Sequence, residues 1–332
     1  MLFAIALPLL GGFTLFLSGM RTMEHALQRT VGRSLHRILE KFTATPLHGL
    51  AVGTAATAVL QSSTAVTVMS IGMVNAGLLT FPRTLGIVLG TNIGTCLTTE
   101  LIGLNLNRYG LPLLGCACAL WLLTALFGEM GLGRRSGRSR DSFTIQDSRL
   151  LAPLRTVSVV TAGFALLLVG IGMMQSIADT VRSMPFFHAY LERADDSVFW
   201  GLAAGIVLTA VVHSSAAVIG IVMGLAESGA MPVEVGIAIV LGANVGTCVT
   251  AVIAAVGGTR SGRFVAWSHV LLNVGGAALF MPFTPALGAA AAWLTASPAG
   301  QIAHAQTLFN VICSLLALPV CYHPRLRKLR AD

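Results

Sequence analysis

The sequence contains one pattern of motifs twice at a fixed offset, which restricts the chain to a fold built from two related halves. Gln61-Ser62-Ser63 recurs as His213-Ser214-Ser215, and the segment 90–96 (Gly-Thr-Asn-Ile-Gly-Thr-Cys) recurs as 242–248 (Gly-Ala-Asn-Val-Gly-Thr-Cys), both 152 positions later. Glycines upstream of each motif keep nearly the same offset. Separate motifs would not share one offset by chance, so we infer that the chain contains an internal repeat.

The apolar character of the chain places this repeat in a membrane. Of its 332 residues, 55% are hydrophobic and only 10% are charged, and crossing the hydrocarbon core takes about 20 helical residues. We predict a transmembrane helix for each of these segments: 2–20, 83–106, 109–128, 156–178, 233–256, 264–281 and 301–321. The first segment resembles a signal peptide, but it lacks a basic n-region and a small-residue cleavage site. The predicted fold class is an all-α polytopic membrane protein.

The paired serines lie between apolar segments that are too short to span a bilayer alone. Each pair of segments is therefore predicted to form a re-entrant helical hairpin, over 47–79 and 199–230, with the serines at its tip. The helix that follows each hairpin, 83–106 and 233–256, carries Gly-x-Asn-x-Gly-Thr at its centre. Since glycine costs about 1 kcal/mol relative to alanine inside a helix, we predict an unwound turn that breaks each of these helices.

The positions of the basic residues predict how the two halves are oriented. The net charge of +8 comes from blocks between the apolar segments, which marks those loops as cytoplasmic and argues against a nucleic-acid partner. One model satisfies every block: a first repeat (1–130), a basic cytoplasmic loop (131–155), a second repeat of opposite topology (156–300), and a last helix with a basic tail (301–332). Inverted repeats of this kind are common among secondary transporters. We therefore expect a multi-pass protein of the inner (cell) membrane.

The predicted hairpin tips and helix breaks place polar groups in the membrane interior. Helix N-termini offer N–H groups that suit an oxyanion, while freed carbonyl groups and the oxygens of Thr and Asn suit a hard cation such as sodium. The candidate residues are Gln61, Ser62, Ser63, Thr64, His213, Ser214 and Ser215 at the tips, and Asn92, Thr95, Asn244 and Thr247 at the breaks. Small polar residues also serve as bonds between helices, but matched serine pairs beside matched Gly-Asn-Gly segments favour a binding site.

Other polar residues remain open to two interpretations. Arg83 follows the first hairpin and could contact an anion, although arginines at this depth more often snorkel to the membrane face. The pairs His269–Asn273 and Gln306–Asn310 each lie four residues apart on one helix face, which favours hydrogen bonding between helices.

The doubled Gln/His-Ser-Ser and Gly-x-Asn-x-Gly-Thr motifs resemble those of the type II sodium/phosphate cotransporter family, over about residues 7–319. The resemblance implies that the tips bind phosphate and sodium, and that this is a bacterial member without the cytoplasmic regulatory domain of some relatives. The phosphate-binding candidates are then Gln61, Ser62, Ser63, Thr64, His213, Ser214, Ser215 and Arg83, and the sodium-binding candidates are Asn92, Thr95, Asn244, Thr247, Ser63 and Ser215. The sequence departs from the family at His213, where Gln is usual, and at Ala216, where another hydroxyl is often found.

The function that this resemblance implies is sodium-coupled symport of inorganic phosphate by alternating access, with sodium as coupling ion and no cofactor. Carriers of other anions (sulfate, arsenate or a carboxylate) and an anion channel remain alternatives. A serine hydrolase built on His213-Ser214 is disfavoured, because no Gly-x-Ser-x-Gly elbow is present. The sequence allows a homodimer and leaves the oligomeric state and the direction of transport open.

Overall fold

The computed structural model describes residues 2–130, 151–324 and 326, and these residues form helices and their connections with no β-strand. The helices are α1 (Leu2–Phe42), α2 (Pro46–Leu60), α3 (Ser63–Asn75), α4 (Phe81–Gly103), α5 (Gly110–Glu129), α6 (Leu151–Gln175), α7 (Ala178–Arg182), α8 (Pro185–Asp196), α9 (Val198–Val212), α10 (Ser215–Glu227), α11 (Val233–Gly246), α12 (Cys248–Ala255), α13 (Arg260–Phe280), α14 (Thr284–Leu294) and α15 (Pro298–Ala317). Most of the predicted basic loop, 131–150, lies outside the described residues.

The described helices confirm a polytopic membrane protein. Six helical runs are long and apolar enough to span a bilayer: Phe81–Gly103, Asn107–Gly128, Leu151–Gln175, Val233–Ala255, Arg260–Leu294 and Pro298–Tyr322. A seventh is added if the bent pair α8–α9 counts as one span. Helix α1 is not in this set, so the span predicted for 2–20 stays a prediction. The inverted orientation of the two halves in a membrane also stays a prediction.

The chain divides into two compact units, and the first comprises residues 1–33 and 106–173. Within it, α1 crosses α6 in an antiparallel direction, because Gly19 packs against Gly163 while Gly12 packs against Gly170. A Cβ atom at Gly170 would lie 2.6 Å from the backbone nitrogen of Phe16. Glycine is required at this crossing because the two backbones touch, as in other close helix pairs of membrane proteins.

The second unit comprises residues 34–105 and 174–332, and it contains the same helix packing twice. In one copy α2 packs on α4, where a Cβ atom at Gly90 would lie 2.7 Å from the nitrogen of Thr54. In the other copy α9 packs on α11, where a Cβ atom at Gly205 would lie 2.8 Å from the nitrogen of Ala243. In both copies the first helix of the hairpin is thus fixed along the helix that follows the hairpin by backbone contact.

The predicted hairpins appear as pairs of short helices joined by two residues. Gln61 caps the C-terminus of α2 and His213 caps that of α9, both in the left-handed conformation with φ of 56° and 57°. The next residue in each case caps the following helix: Ser62 Oγ accepts from the nitrogen of Ala65 at 3.4 Å, and Ser214 caps α10 in the same way. The left-handed residue reverses the chain and the serine starts the second helix. Whether each pair re-enters the membrane stays a prediction.

The predicted break in the first long helix is wrong. Helix α4 runs without interruption through Gly90 and Gly94, which are there because α2 approaches closely: a Cβ atom at Gly94 would lie 2.6 Å from Thr57 Cβ. In the second half, only Thr247 separates α11 from α12, and its φ and ψ of −63° and −21° remain helical. The glycines therefore serve helix packing, and the helix absorbs their cost in backbone entropy.

Candidate functional site

A polar cavity lies inside the second unit, where α3, α4, α10, α11, α12 and α13 approach one another. The empty space between these helices amounts to about 400 Å³, part of which is open to the outside. Its described lining is neutral, and it consists of Ser63, Thr64, Thr67, Val68, Asn92, Thr95, Ser215, Asn244, Thr247, Thr250, Ala251 and His269. Among the described residues there is also no group of three or more His, Cys, Asp or Glu side chains suited to a metal ion.

Residues at equivalent positions of the two halves meet in this cavity. Three pairs, each 152 positions apart, contribute to its lining: Ser63 with Ser215, Asn92 with Asn244, and Thr95 with Thr247. These six are the residues that the sequence assigned to sodium. The convergence of tips and Gly-Asn-Gly segments is therefore present in the structure, although the helix break expected to produce it is absent from α4 and is limited in the second half to the interruption at Thr247.

The two central asparagines are each held by an asparagine from a neighbouring helix. Asn92 Nδ2 donates to Asn273 Oδ1 on α13 at 3.3 Å, and Asn310 Nδ2 on α15 donates to Asn244 Oδ1 at 3.4 Å. Asn273 and Asn310 are themselves buried. The predicted hydrogen bonding between helices is confirmed for these two residues, and it fixes the orientation of the cavity amides.

The threonines present their oxygens to the cavity as acceptors. Thr95 Oγ1 donates to the carbonyl oxygen of Thr91 at 2.9 Å, and Thr247 Oγ1 donates to the carbonyl oxygen of Asn244 at 2.5 Å. A hydroxyl has one hydrogen and two lone pairs, so a threonine that spends its hydrogen on its own helix offers only lone pairs elsewhere. An array of such groups suits a cation that prefers oxygen ligands.

Only three of the eight residues assigned to phosphate line the cavity: Ser63, Thr64 and Ser215. Gln61 Oε1 instead accepts from Thr98 Oγ1 at 2.6 Å, and His213 is exposed at the tip of the second pair. Ser62 and Ser214 are helix caps.

Arg83 also lies outside this lining. Its Nε donates at 2.5 Å to the carbonyl oxygen of Thr43, just past the end of α1. This bond gives the guanidinium a structural partner away from the cavity, where sequence reasoning had left a phosphate contact and membrane-face snorkelling as the two interpretations.

Sequence reasoning did not place three polar residues of the lining in the site: Thr67, Thr250 and His269. Helical periodicity could have identified two of them, because Thr67 lies one turn beyond Ser63 and Thr250 lies one turn beyond Thr247 on the same faces. His269 was placed between helices, but its helix α13 turns that residue towards the cavity.

Apolar spans that surround a neutral polar cavity define a multi-pass membrane protein with an internal polar cavity. A family model described as "Na+/Pi-cotransporter" matches residues 15–133 and 166–313. The chain belongs to the Na+/Pi-cotransporter family, which is made up of transporters, and the resemblance inferred from the motifs is confirmed.

Individual relatives support this assignment. The chain is 34% identical over 305 residues to "Uncharacterized protein YqeW" of Bacillus subtilis, covering 92% of this chain and 91% of that protein. It is 21% identical over 313 residues to "Putative inorganic phosphate export protein YjbB" of Escherichia coli, of which it spans about half the length (53%). A 103-residue segment, 30% of this chain, is 33% identical to 16% of rabbit "Sodium-dependent phosphate transport protein 2A". No solved structure matches the chain.

Proposed function

We propose that the chain is a secondary active carrier that couples movement of inorganic phosphate across the cell membrane to sodium by alternating access. The observation that supports this most directly is the neutral, oxygen-rich cavity. Hydroxyl and amide groups from equivalent positions of both halves converge on it, and no described residue that lines it is Asp, Glu, Lys or Arg.

The absence of charge from this described lining is the physical reason for coupling. Phosphate carries one to two negative charges near neutral pH, and a charge is costly to bring into a membrane protein unless it is paired. No lining side chain supplies a fixed positive charge. A sodium ion about 4 Å from the anion contributes roughly 4 kcal/mol of attraction at an effective dielectric constant near 20. Bound sodium can therefore supply the counter-charge that the described lining of the cavity lacks.

We assign different chemical groups of the cavity to the two ions. The six paired residues offer sodium the acceptor oxygens of Asn92, Asn244, Thr95, Thr247, Ser63 and Ser215. Helices α3 and α10 begin at Ser63 and Ser215, so their first N–H groups and partial positive charge favour the anion. Phosphate contacts by Gln61, Ser62, His213 or Ser214 would require a second conformation of the kind that alternating access involves, whereas Arg83 is bonded to the backbone outside the cavity.

The proposal is for a carrier and not for an enzyme. Ser214 Oγ accepts a hydrogen bond from the nitrogen of Ala217 at 3.2 Å, which uses it as a helix cap. His213 is exposed at the preceding residue, and neighbouring residues of this kind rarely form a nucleophile and its base.

Uptake of labelled phosphate into proteoliposomes tests the proposal. An inward sodium gradient should drive accumulation above equilibrium, whereas choline should not, and unlabelled phosphate should compete better than sulfate. Uptake that is equal in sodium and choline contradicts the coupling, and uptake that does not saturate indicates a channel. Preloaded vesicles with sodium inside or outside then establish the direction, which matters because one relative is named as an exporter.

A further inference from the structure

The second helix of each hairpin ends on a polar residue, and the two residues occupy equivalent positions of the repeat. Asn75 is the last residue of α3 and Glu227 is the last residue of α10, and they lie 152 positions apart. Asn75 Oδ1 accepts from Thr259 Oγ1 at 2.6 Å, and Glu227 Oε2 accepts from Ser297 Oγ at 2.9 Å. Each hairpin is thus bonded at this end to a hydroxyl group of a neighbouring helix.

The two hydroxyl groups have the same role in the helices that they start. Thr259 is the N-cap of α13 and Ser297 is the N-cap of α15. Thr259 Oγ1 accepts from the nitrogen of Gly262, and Ser297 Oγ accepts from the nitrogen of Gly300, both at 3.2 Å. Each hydroxyl group therefore uses a lone pair for its own helix and its single hydrogen for the hairpin.

The helices that these bonds join also reach the cavity. Helix α3 begins at Ser63, which lines the cavity, and α13 carries Asn273, the partner of the lining residue Asn92. In the other half, α10 begins at Ser215, and α15 carries the partner of Asn244. In each half, one bond therefore joins the helix whose start lines the cavity to the helix that orients the cavity asparagine.

The bond in the second half is part of a larger group of hydrogen bonds. Glu227 Oε2 also accepts from the nitrogen of Ala299 at 3.1 Å, and its Oε1 accepts from Asn105 Nδ2 at 2.9 Å. Asn105 lies just past the end of α4, and the first turn of α15 presents the positive end of a helix dipole to the carboxylate. Glu227 thus joins α4, α10 and α15, whereas Asn75 joins α3 to α13.

We propose that Asn75 and Glu227 are positioning residues for sodium, each of which holds the serine and asparagine ligands of its own half in place. This inference rests on the proposed function, and neither residue belongs to the described lining of the cavity. Ligands that are already held lose little freedom when the ion binds, whereas the ordering of loose ligands reduces the binding free energy. Loss of either bond therefore weakens sodium binding without removing a ligand.

Sodium-driven uptake of labelled phosphate into proteoliposomes tests the proposal, because it separates the half-saturating sodium concentration from the maximal rate. Glu227→Ala should raise that concentration at least about fivefold, because three hydrogen bonds to a carboxylate are lost. Asn75→Ala should raise it about three- to fivefold, because the bond that is lost joins neutral groups. Glu227→Gln and Asn75→Asp each keep an acceptor oxygen and should stay within about twofold of wild type.

The matched control is Glu234→Ala, which removes an exposed acid in the first turn of α11. It should leave the half-saturating sodium concentration within about 1.5-fold of wild type, as expected for a surface substitution. An increase as large as that of Glu227→Ala would show that the loss of any acid on this face is sufficient, and it would overturn the inference.

The outcomes separate this inference from the proposed function. Wild-type uptake that is equal in sodium and choline contradicts the proposed function, and the inference with it. A role in folding alone would lower the maximal rate or the unfolding temperature, so an unchanged half-saturating sodium concentration in either alanine variant overturns the inference alone.

A second pair of variants covers the case in which an alanine variant does not give monodisperse protein. Thr259→Gly and Ser297→Gly remove the hydroxyl group that bonds the hairpin, while glycine still serves as an N-cap. A half-saturating sodium concentration raised several-fold in these variants supports the inference, and an unchanged value rejects it.

Discussion

The glycine contacts between paired helices make a quantitative prediction about stability. In Gly205→Ala the new Cβ would overlap the carbonyl oxygen of Ile239 and lie 2.8 Å from the nitrogen of Ala243. Both atoms belong to backbone, so neither can swing aside, and α9 must move from α11 by about 1 Å. A gap of that size removes a quarter to a half of the dispersion energy of each contact along the interface. Overpacking of this kind costs about 1–3 kcal/mol of stability.

Thermal unfolding of the detergent-purified protein, followed by tryptophan fluorescence, measures this effect. We expect the midpoint of Gly205→Ala to fall by about 5 °C, at a few degrees per kcal/mol. The control is Gly72→Ala on α3, where a Cβ atom would meet nothing within 4 Å and alanine should be neutral or stabilising by up to about 1 kcal/mol. If the two variants unfold at the same temperature, close backbone approach is not the reason for glycine at position 205.

Three further predictions address the site and the topology. Ser63→Ala and Ser215→Ala should each reduce sodium-driven phosphate uptake about tenfold or more with little change in unfolding temperature, because a hydroxyl that only joins helices contributes about 0.6 kcal/mol; near-normal uptake by both would move the site elsewhere. Arg83→Gln should leave the phosphate KM within about twofold, since the guanidinium is bonded to backbone outside the cavity, and a tenfold rise would return Arg83 to the binding site. In a cysteine-free background, a cysteine at Asp196 should react with an impermeant reagent from outside the cell and one at Ser139 only after permeabilisation, so equal external labelling would contradict the inverted topology.

The repeat in the sequence predicted more of the site than the local motifs did. Matched serines and asparagines had to occupy equivalent positions in two copies of one unit, and the structure brings Ser63, Ser215, Asn92 and Asn244 to one cavity. The role of the glycines was predicted wrongly, because it was inferred from their low helix propensity alone. Contact with another backbone is a tertiary property, and it outweighed a local preference of about 1 kcal/mol at Gly94.

The orientation of α13 could not be predicted from the sequence either. The pair His269–Asn273 has the spacing of a helix face, but spacing alone does not say which side of α13 meets α4 and which meets the cavity. In the structure the two residues have different surroundings: Asn273 is hydrogen-bonded to Asn92, and His269 belongs to the cavity lining. Orientation of this kind depends on where neighbouring helices lie, which is determined by the whole unit.

The left-handed residues at the two tips determine which substitutions the protein can accept at these positions. The chain reverses there because of a backbone conformation, and position 61 shares it with position 213 although one residue is Gln and the other His. Gln61 is bonded to Thr98, whereas the ring of His213 is exposed, so the turn does not depend on any one side-chain contact. Such a position should tolerate asparagine or glycine and reject the β-branched valine and isoleucine, which are strained at positive φ. The side chain at the tip can thus change from one chemical group to another while the backbone of the turn keeps the same conformation.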